Sequence, residues 1–340
     1  VPGLPRLLAL PPLPPEVITA ILGDLAPRVQ VVLPRERTLQ AVQAAIADVD
    51  LVLGTWQGTD PLPVTAEVVA AASDRLVFVQ QPTVGVDSLD VAALTARGVV
   101  LANAAGANSR AVAEWCLAGA LAVARSLVWA HEQVRAGRWP QLEIATRGSS
   151  EIASLRIGIL GMGSIGTEVA RLFTIFGGTV RYWSRRQRPL EQTHGATWLP
   201  LEELLACSDL VICVLPLTAQ TAGLLGARQL GLLPAGAMVV DAGRGGVLDT
   251  EALLVALDSG RLRGAALDVH PLEPLPLEHP LRHHERVVLS PHAAGGSAQA
   301  TLAMFAQSVD NLRRVLDGQP VQAVVNDLGP LVRLRGAGSS

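Results

Sequence analysis

The stretch LRIGILGMGSIGTEVARLF, residues 155–173, constrains the fold more than any other. A short apolar run ends in Gly161-x-Gly163-x-x-Gly166, and a helical pattern follows directly. A lone glycine triplet of this spacing is weak. Between a strand and a helix it is a strong dinucleotide fingerprint. Gly161 makes the tight turn, Gly163 lets the backbone approach a pyrophosphate, and Gly166 lets helix and strand pack closely. The amides near Ser164 and Ile165 sit at the positive end of the helix, where a phosphate is favoured. The competing reading is a plain glycine-rich turn.

The rest of the chain has the rhythm such a unit needs. Apolar runs expected as strands are Arg6–Leu10, Val29–Leu33, Leu51–Gly54, Leu76–Gln80 and Val99–Ala102, then Arg156–Leu160, Thr179–Trp183, Leu210–Leu215, Met238–Asp241, Gly264–Val269 and Val287–Leu289. Helical patterns such as Ser164–Phe176 and Thr250–Ser259 lie between most of them. Alternation of this kind predicts an α/β protein with doubly wound parallel sheets. The 340 residues suffice for two such domains. One long helix, Arg110–Arg135, leads out of the first series, and Gly137–Ser154 reads as polar and irregular. An amphipathic stretch, Ser297–Leu316, follows the last strand and can return to the first domain.

The turn after the second strand of the fingerprint unit bears on the cofactor. NAD sites usually carry an acid there for the ribose 2′-hydroxyl. Here the strand runs into Ser184, Arg185 and Arg186, with no carboxylate. A hydroxyl and two guanidiniums suit a 2′-phosphate, so NADP is the expected cofactor, with NAD as the alternative. A solvated basic turn is the bland reading.

Three later strand ends carry chemistry. Arg244 follows one, between glycines; Asp268 ends the next, with Glu273 in the loop beyond; His292 follows the last. Alone, each has an ordinary structural reading: a surface cation, a cap, a solvated acid, a packed histidine. Together they leave one edge of the same expected sheet, where ligands of open α/β sheets collect.

At this point the chain resembles the D-isomer-specific 2-hydroxyacid dehydrogenases over nearly its full length. The segments that carry the resemblance are GMGSIG, LPLTAQT, VVDAGRGGVLDTEAL, GAALDVHPLEPLP and LSPHAAGGS, with VGVDSLDVAALTARGVVLAN and NSRAVAEW earlier in the chain. The resemblance implies a Rossmann cofactor domain, residues 110–292, inserted within a discontinuous flavodoxin-like substrate domain, residues 1–109 and 293–326. Residues 327–340 are expected as a flexible tail. It also implies a homodimer.

By position it implies that Arg244 binds the carboxylate and carbonyl oxygen of a 2-keto acid. His292 would give a proton to that oxygen as hydride reaches C2, and Glu273 would orient the imidazole and favour its charged form. Val84 and Gly85 match a loop whose N–H groups hold the substrate carboxylate. Asp268 matches an acid near the nicotinamide amide, and Leu215, Pro216, Thr221 and Ala242 fall at cofactor contacts. Trp56 stands near the expected substrate pocket. His270 replaces a more usual aromatic residue and reads as packing.

Composition narrows the choice. All 27 basic residues are arginine, which excludes lysine Schiff-base or lysine general-base chemistry. It also argues against phosphite dehydrogenases, which rely on a lysine ahead of the Gly85 loop. Formate dehydrogenases use an amide where Glu273 stands. Phosphoglycerate dehydrogenases often add a regulatory domain, and too few residues follow Leu316 for one. A glyoxylate or hydroxypyruvate reductase fits best, and a dinucleotide-binding corepressor is the alternative from another class. A net charge of −3 gives no general attraction to nucleic acid or an anionic membrane. No spacing suggests a metal site. Cys116, Cys207 and Cys213 are expected as buried thiols in a reducing compartment. The proline-broken start is a poor signal sequence, and Trp115–Ala124 is too short to span a bilayer, so a cytoplasmic protein is expected.

Overall fold

The computed structural model describes residues 3–56 and 62–335. They form two compact units, one comprising the chain up to Asn108 and from Ala298 onward, the other Ser109–Ser297.

In the first unit, β1 (Arg6–Ala9), β2 (Gln30–Val32), β3 (Leu51–Leu53), β4 (Phe78–Gln80) and β5 (Val100–Ala102) form a parallel sheet in the order β2-β1-β3-β4-β5. This is the flavodoxin-like order. Its inner strands are unbroken apolar runs because helices cover both faces. Val42, Ile46, Val68, Val69 and Leu94 pack on one face with Leu8, Val52 and Val79. Ile18, Leu22, Leu312 and Val315 pack on the other with Leu7, Leu51 and Phe78. Thr38, Thr65 and Asp90 each accept a backbone N–H at a helix start, which fixes where those helices begin. The helix Ala298–Leu316 is pinned to β4 by Asn311, whose Nδ2 donates to Gln80 Oε1 at 2.9 Å inside the core.

The second unit holds β6 (Arg156–Leu160), β7 (Thr179–Trp183), β8 (Thr197–Trp198), β9 (Leu210–Cys213), β10 (Ala237–Asp241), β11 (Leu262–Leu267) and β12 (Val287–Leu289). They are all parallel, in the order β12-β11-β10-β9-β6-β7-β8. The strand order reverses at β6, so its leaving end is the switch point. Register matters here. Leu160 pairs with Trp183 and with Cys213, Cys213 with Asp241, Asp241 with Leu267, and Leu267 with Leu289. Six strands therefore end in one row. Whatever follows them in sequence leaves the sheet along one edge.

Several expectations need correction. The connecting helix is two helices, Ser109–Ala124 and Leu127–Arg135, bent by 60°. The break falls at Ser126, which has φ +49°. The stretch read as irregular contains a helix, Gln141–Thr146. Neither Leu127–Arg135 nor Gln141–Thr146 buries a residue, so no apolar stripe marks them against a core. The two-residue β8 is too short to give a pattern. The chain passes back to the first unit at 297/298, not 292/293, because Ala293 and Ala294 donate their N–H groups to Asp268 of the second unit. The connecting helix starts at Ser109, one residue before the expected boundary. The tail is not loose from 327: Val332 is buried, Pro320 bridges Leu331, and Leu334 packs on the core. Residues 336–340 lie outside the described residues. Among the described residues, no single helix is long and apolar enough to cross a membrane.

Candidate active site

The fingerprint takes the shape its spacing requires. Gly161 has φ +102°, in the region that favours glycine. A Cβ on Gly166 would lie 2.0 Å from the Gly161 oxygen, so the helix reaches the strand only without a side chain there. A Cβ on Gly163 would meet nothing within 4 Å. The helix Ser164–Ile175 starts at Gly163 with no side-chain cap, which leaves its first N–H groups for a ligand. An open backbone turn facing uncapped amides fits a pyrophosphate. Leu215 is buried against Gly161, Ala242 is buried at the end of β10, Pro216 is exposed, and Ile165 packs on the core.

Arg188 and Gln192 join Met162, Gly163, Ser164 and Thr167 around a small cavity of about 170 Å3 beside this turn. Neither was expected. Arg188 is the third arginine of the run Ser184–Arg188, and that run was the signal available. Its N–H donates to the Tyr182 phenol oxygen at 2.8 Å, which fixes the backbone of the turn. Within the turn, Ser184 Oγ donates to the Arg186 carbonyl at 2.7 Å, and Arg185 Nη1 donates to Gln220 Oε1 at 3.0 Å. Both Arg185 and Arg186 are exposed.

Two of the residues expected at the cofactor also make hydrogen bonds within the fold. Thr221 is buried, and its hydroxyl donates to the Pro216 carbonyl at 2.6 Å, closing its own loop. Asp268 is 1% exposed. One of its oxygens accepts from Ser290 Oγ and, at 2.8 Å, from the Ala293 N–H; the other accepts from the Ala294 N–H at 2.9 Å. It fastens the loop on both sides of His292.

That loop presents the pair. His292 Nδ1 lies 2.8 Å from Glu273 Oε2. Glu273 Oε1 accepts the His270 N–H at 3.0 Å, so both carboxylate oxygens are in use. Burial raises the Glu273 pKa, but the hydrogen bonds from His292 and His270 and their charges outweigh it and hold the carboxyl below its usual value. His292 itself has φ +54°, uncommon for a residue with a Cβ, and its N–H donates to the Asp268 carbonyl at 2.7 Å. His270 is buried, with Nε2 3.0 Å from the Ser290 carbonyl. It braces the same loop, which agrees with a packing role.

Arg244 leaves β10 one strand away. Its Nη1 donates to the Gly243 carbonyl at 2.8 Å. Its loop is pressed against the His270 segment: a Cβ on Gly245 would lie 2.0 Å from the His270 carbonyl carbon. Asp241, which sequence reasoning passed over, sits beneath this loop. It is 1% exposed, and its Oδ1 accepts the Gly243 N–H at 3.0 Å. Burial pushes its carboxyl up to about 7, against the Gly243 and Cys213 hydrogen bonds. Cys116 and Cys213 are buried, and burial pushes both thiols up; Cys207 is only half-buried.

In the first unit, Val84 and Gly85 form a turn held from behind. Asn103 Nδ2 donates to the Val84 carbonyl at 2.6 Å, and Thr83 Oγ1 to the Gly85 carbonyl at 3.2 Å. Buried Gln81 donates to Thr83 Oγ1 and to the Thr55 carbonyl. The N–H groups of Val84 and Gly85 meet no acceptor among the described residues. Trp56 stacks on Phe305, ring centres 5.1 Å apart. The remainder of its loop, residues 57–61, lies outside the described residues.

A parallel sheet of this order, with the fingerprint at its switch point, defines a dinucleotide-binding protein. Residues 117–294 match the model of the D-isomer specific 2-hydroxyacid dehydrogenase NAD-binding domain. The chain is 39% identical to a glyoxylate reductase of Aeropyrum pernix over 257 residues, covering 74% of this chain and 77% of that protein. It is 37% identical to a glyoxylate/hydroxypyruvate reductase B of Citrobacter koseri over 246 residues, 72% and 76% of the two chains. Among solved structures, D-mandelate dehydrogenase of Rhodotorula graminis superimposes with a TM-score of 0.89 at 26% identity, over 97% of this chain and 99% of that one. The chain belongs to the D-isomer-specific 2-hydroxyacid dehydrogenase family, and is an oxidoreductase.

Proposed function

We propose that the protein reduces glyoxylate or hydroxypyruvate to the D-2-hydroxy acid, with NADPH preferred over NADH. The observation that carries this reading is the His292–Glu273 pair, 2.8 Å apart, on the strand-end row that also bears Arg244 and the glycine fingerprint. The names of the two sequence relatives support the substrate class.

When bound, the reduced nicotinamide supplies a hydride to C2 of the keto acid. His292 delivers a proton to the C2 oxygen. Glu273 holds the ring through Nδ1, which leaves Nε2 to face the substrate. The Arg244 fork binds the carboxylate and polarises the carbonyl oxygen. For Val84 and Gly85, the two N–H groups without an acceptor support a role as carboxylate ligands. Trp56, stacked on Phe305, is proposed to limit substrate size.

For the cofactor, exposed Arg185 and Arg186 beside Ser184 support a 2′-phosphate site, and Arg188 adds a third guanidinium at the same turn. A homodimer is supported by the segment 127–146, whose Leu127, Trp139 and Leu142 are 61%, 78% and 84% exposed and call for a cover. Three free cysteines support a reducing, cytoplasmic setting.

The test is steady-state oxidation of NADPH and NADH with glyoxylate, hydroxypyruvate and phenylglyoxylate. At least about tenfold higher kcat/KM with NADPH than NADH is expected, the equivalent of one charge-assisted hydrogen bond. A preference for NADH sinks the cofactor reading. A preference for phenylglyoxylate sinks the substrate reading. No turnover with any of the three favours a dinucleotide-binding partner protein instead.

A further inference from the structure

In the first unit, the chain leaving β5 braces the turn that follows β4. Ala104 donates its N–H to the Thr83 carbonyl at 3.1 Å. Its neighbour Asn103 donates Nδ2 to the Val84 carbonyl at 2.6 Å. Successive carbonyls of the turn are therefore held by successive residues of one segment. These peptides are trans. In a planar trans peptide the N–H points opposite to the C=O. The Val84 N–H shares a plane with the Thr83 carbonyl, and the Gly85 N–H shares one with the Val84 carbonyl. Both N–H groups are thus turned away from Asn103 and Ala104. Successive backbone N–H groups presented together make a cradle for an anion.

One of the holding bonds is made by a side chain, and that side chain is itself fixed. The Asn103 N–H donates to the Ala323 carbonyl at 3.1 Å, and its Oδ1 accepts the Ala105 N–H at 3.1 Å. This decides which end of the amide faces Val84. Turned over, the NH2 would meet the Ala105 N–H, and the oxygen would meet the Val84 carbonyl. Asn103 and Val84 are 19 residues apart, so the bond is tertiary and not part of the turn's own geometry. Gln81 Nε2 donates to Thr83 Oγ1 at 2.8 Å, and that hydroxyl donates to the Gly85 carbonyl at 3.2 Å. The hydroxyl therefore sets the peptide after Gly85 and leaves the plane between Val84 and Gly85 to Asn103.

We propose, resting on the reading that these N–H groups hold the keto-acid carboxylate, that Asn103 is the positioning residue of that carboxylate site. It does not touch the substrate. It aims the Gly85 N–H alongside that of Val84, so that both donate to one carboxylate.

The test uses the full chain saturated with NADPH, with oxamate as a carboxylate probe that takes no hydride. Amide hydrogen exchange at Val84 and Gly85, oxamate inhibition and glyoxylate kinetics are compared in the unaltered protein and in N103S. A serine hydroxyl can still accept the Ala105 N–H but is too short to reach Val84. Oxamate should slow exchange at both amides in the unaltered protein, and much less at Gly85 in N103S. The oxamate inhibition constant and the glyoxylate KM should each rise about tenfold, the loss of one hydrogen bond to a charged group, with kcat changed less than about twofold. NADPH affinity should not change. A residue that only braces the fold would lower kcat and stability without this selective loss of carboxylate binding. N103D keeps the size and Oδ1 of asparagine but sets an acceptor against the Val84 carbonyl. It should act in the same direction, and it carries the test if N103S does not fold. The proposal is overturned, with the carboxylate reading intact, if oxamate protects Gly85 equally in both proteins, if the oxamate constant is unchanged, or if kcat falls as far as KM rises. If oxamate protects neither amide in the unaltered protein, the carboxylate reading is overturned and the proposal with it.

Discussion

Glu273→Gln is the sharpest perturbation of the proposed chemistry, because the structure uses both carboxylate oxygens as acceptors. Oε1 takes the His270 N–H and Oε2 faces His292 Nδ1. An amide has one acceptor and one donor. If its oxygen keeps the His270 bond, its NH2 faces Nδ1, and a ring proton on Nδ1 can no longer be shared. If it flips, the His270 N–H meets another donor. Either way the charge that stabilises the protonated ring is gone. A hydrogen bond to a charged group contributes about 1.5–3 kcal/mol. The side chains of His292 and Glu273 are 32% and 36% exposed, so solvent screens the pair and the lower end applies. At 1.36 kcal/mol per unit, about 1.5 kcal/mol is about one pH unit. In keto-acid reduction, the limb of kcat/KM that falls with rising pH should move about one unit lower in E273Q. One unit above the original limb, the rate should be about tenfold lower. The assay is NADPH oxidation across pH 5 to 9 with each protein's stability checked at every point. A profile that drops uniformly without moving would refute the shared-proton reasoning and leave Glu273 a purely structural brace. An unchanged profile would remove it from the mechanism altogether.

Other consequences follow from single contacts. Gly166→Ala puts a Cβ 2.0 Å from the Gly161 oxygen, so it should cost about 1–3 kcal/mol of stability and weaken NADPH binding more than tenfold, read by urea unfolding and fluorescence titration. Asp268→Asn cannot accept from Ser290, Ala293 and Ala294 together; about 1–3 kcal/mol should be lost, with kcat falling more than KM rises, and unchanged kcat would detach this aspartate from the placement of His292. Asp241 carries a sign that can be checked. Its folded pKa is raised to about 7 from 3.8, so the native state binds the extra proton between these values, and stability falls as pH rises through that window and levels off above it. About three units correspond to an upper bound of about 4 kcal/mol; Asp241→Asn should flatten the slope, and a thermal-unfolding series showing the same pH dependence in both proteins would contradict the assignment.

The sequence by itself determined the alternation of strand and helix, and with it two parallel sheets, because strands covered on both faces must be continuous apolar runs. It determined the cofactor turn, since Gly161, Gly163 and Gly166 are each required by a backbone constraint that acts within a few residues. It also placed Arg244, Asp268 and His292 after strand ends. Only the tertiary structure decided what those residues do there. The row Leu160, Trp183, Cys213, Asp241, Leu267 and Leu289 is a matter of register between strands far apart in the chain, and no local pattern encodes it. The same holds for Asp268, whose carboxylate gains Ser290, Ala293 and Ala294 as partners only when the strands come together. The helix Gln141–Thr146 escaped notice because it buries nothing. Local sterics and periodicity can be read along a chain; hydrogen-bond satisfaction and charge balance depend on neighbours that only the fold supplies.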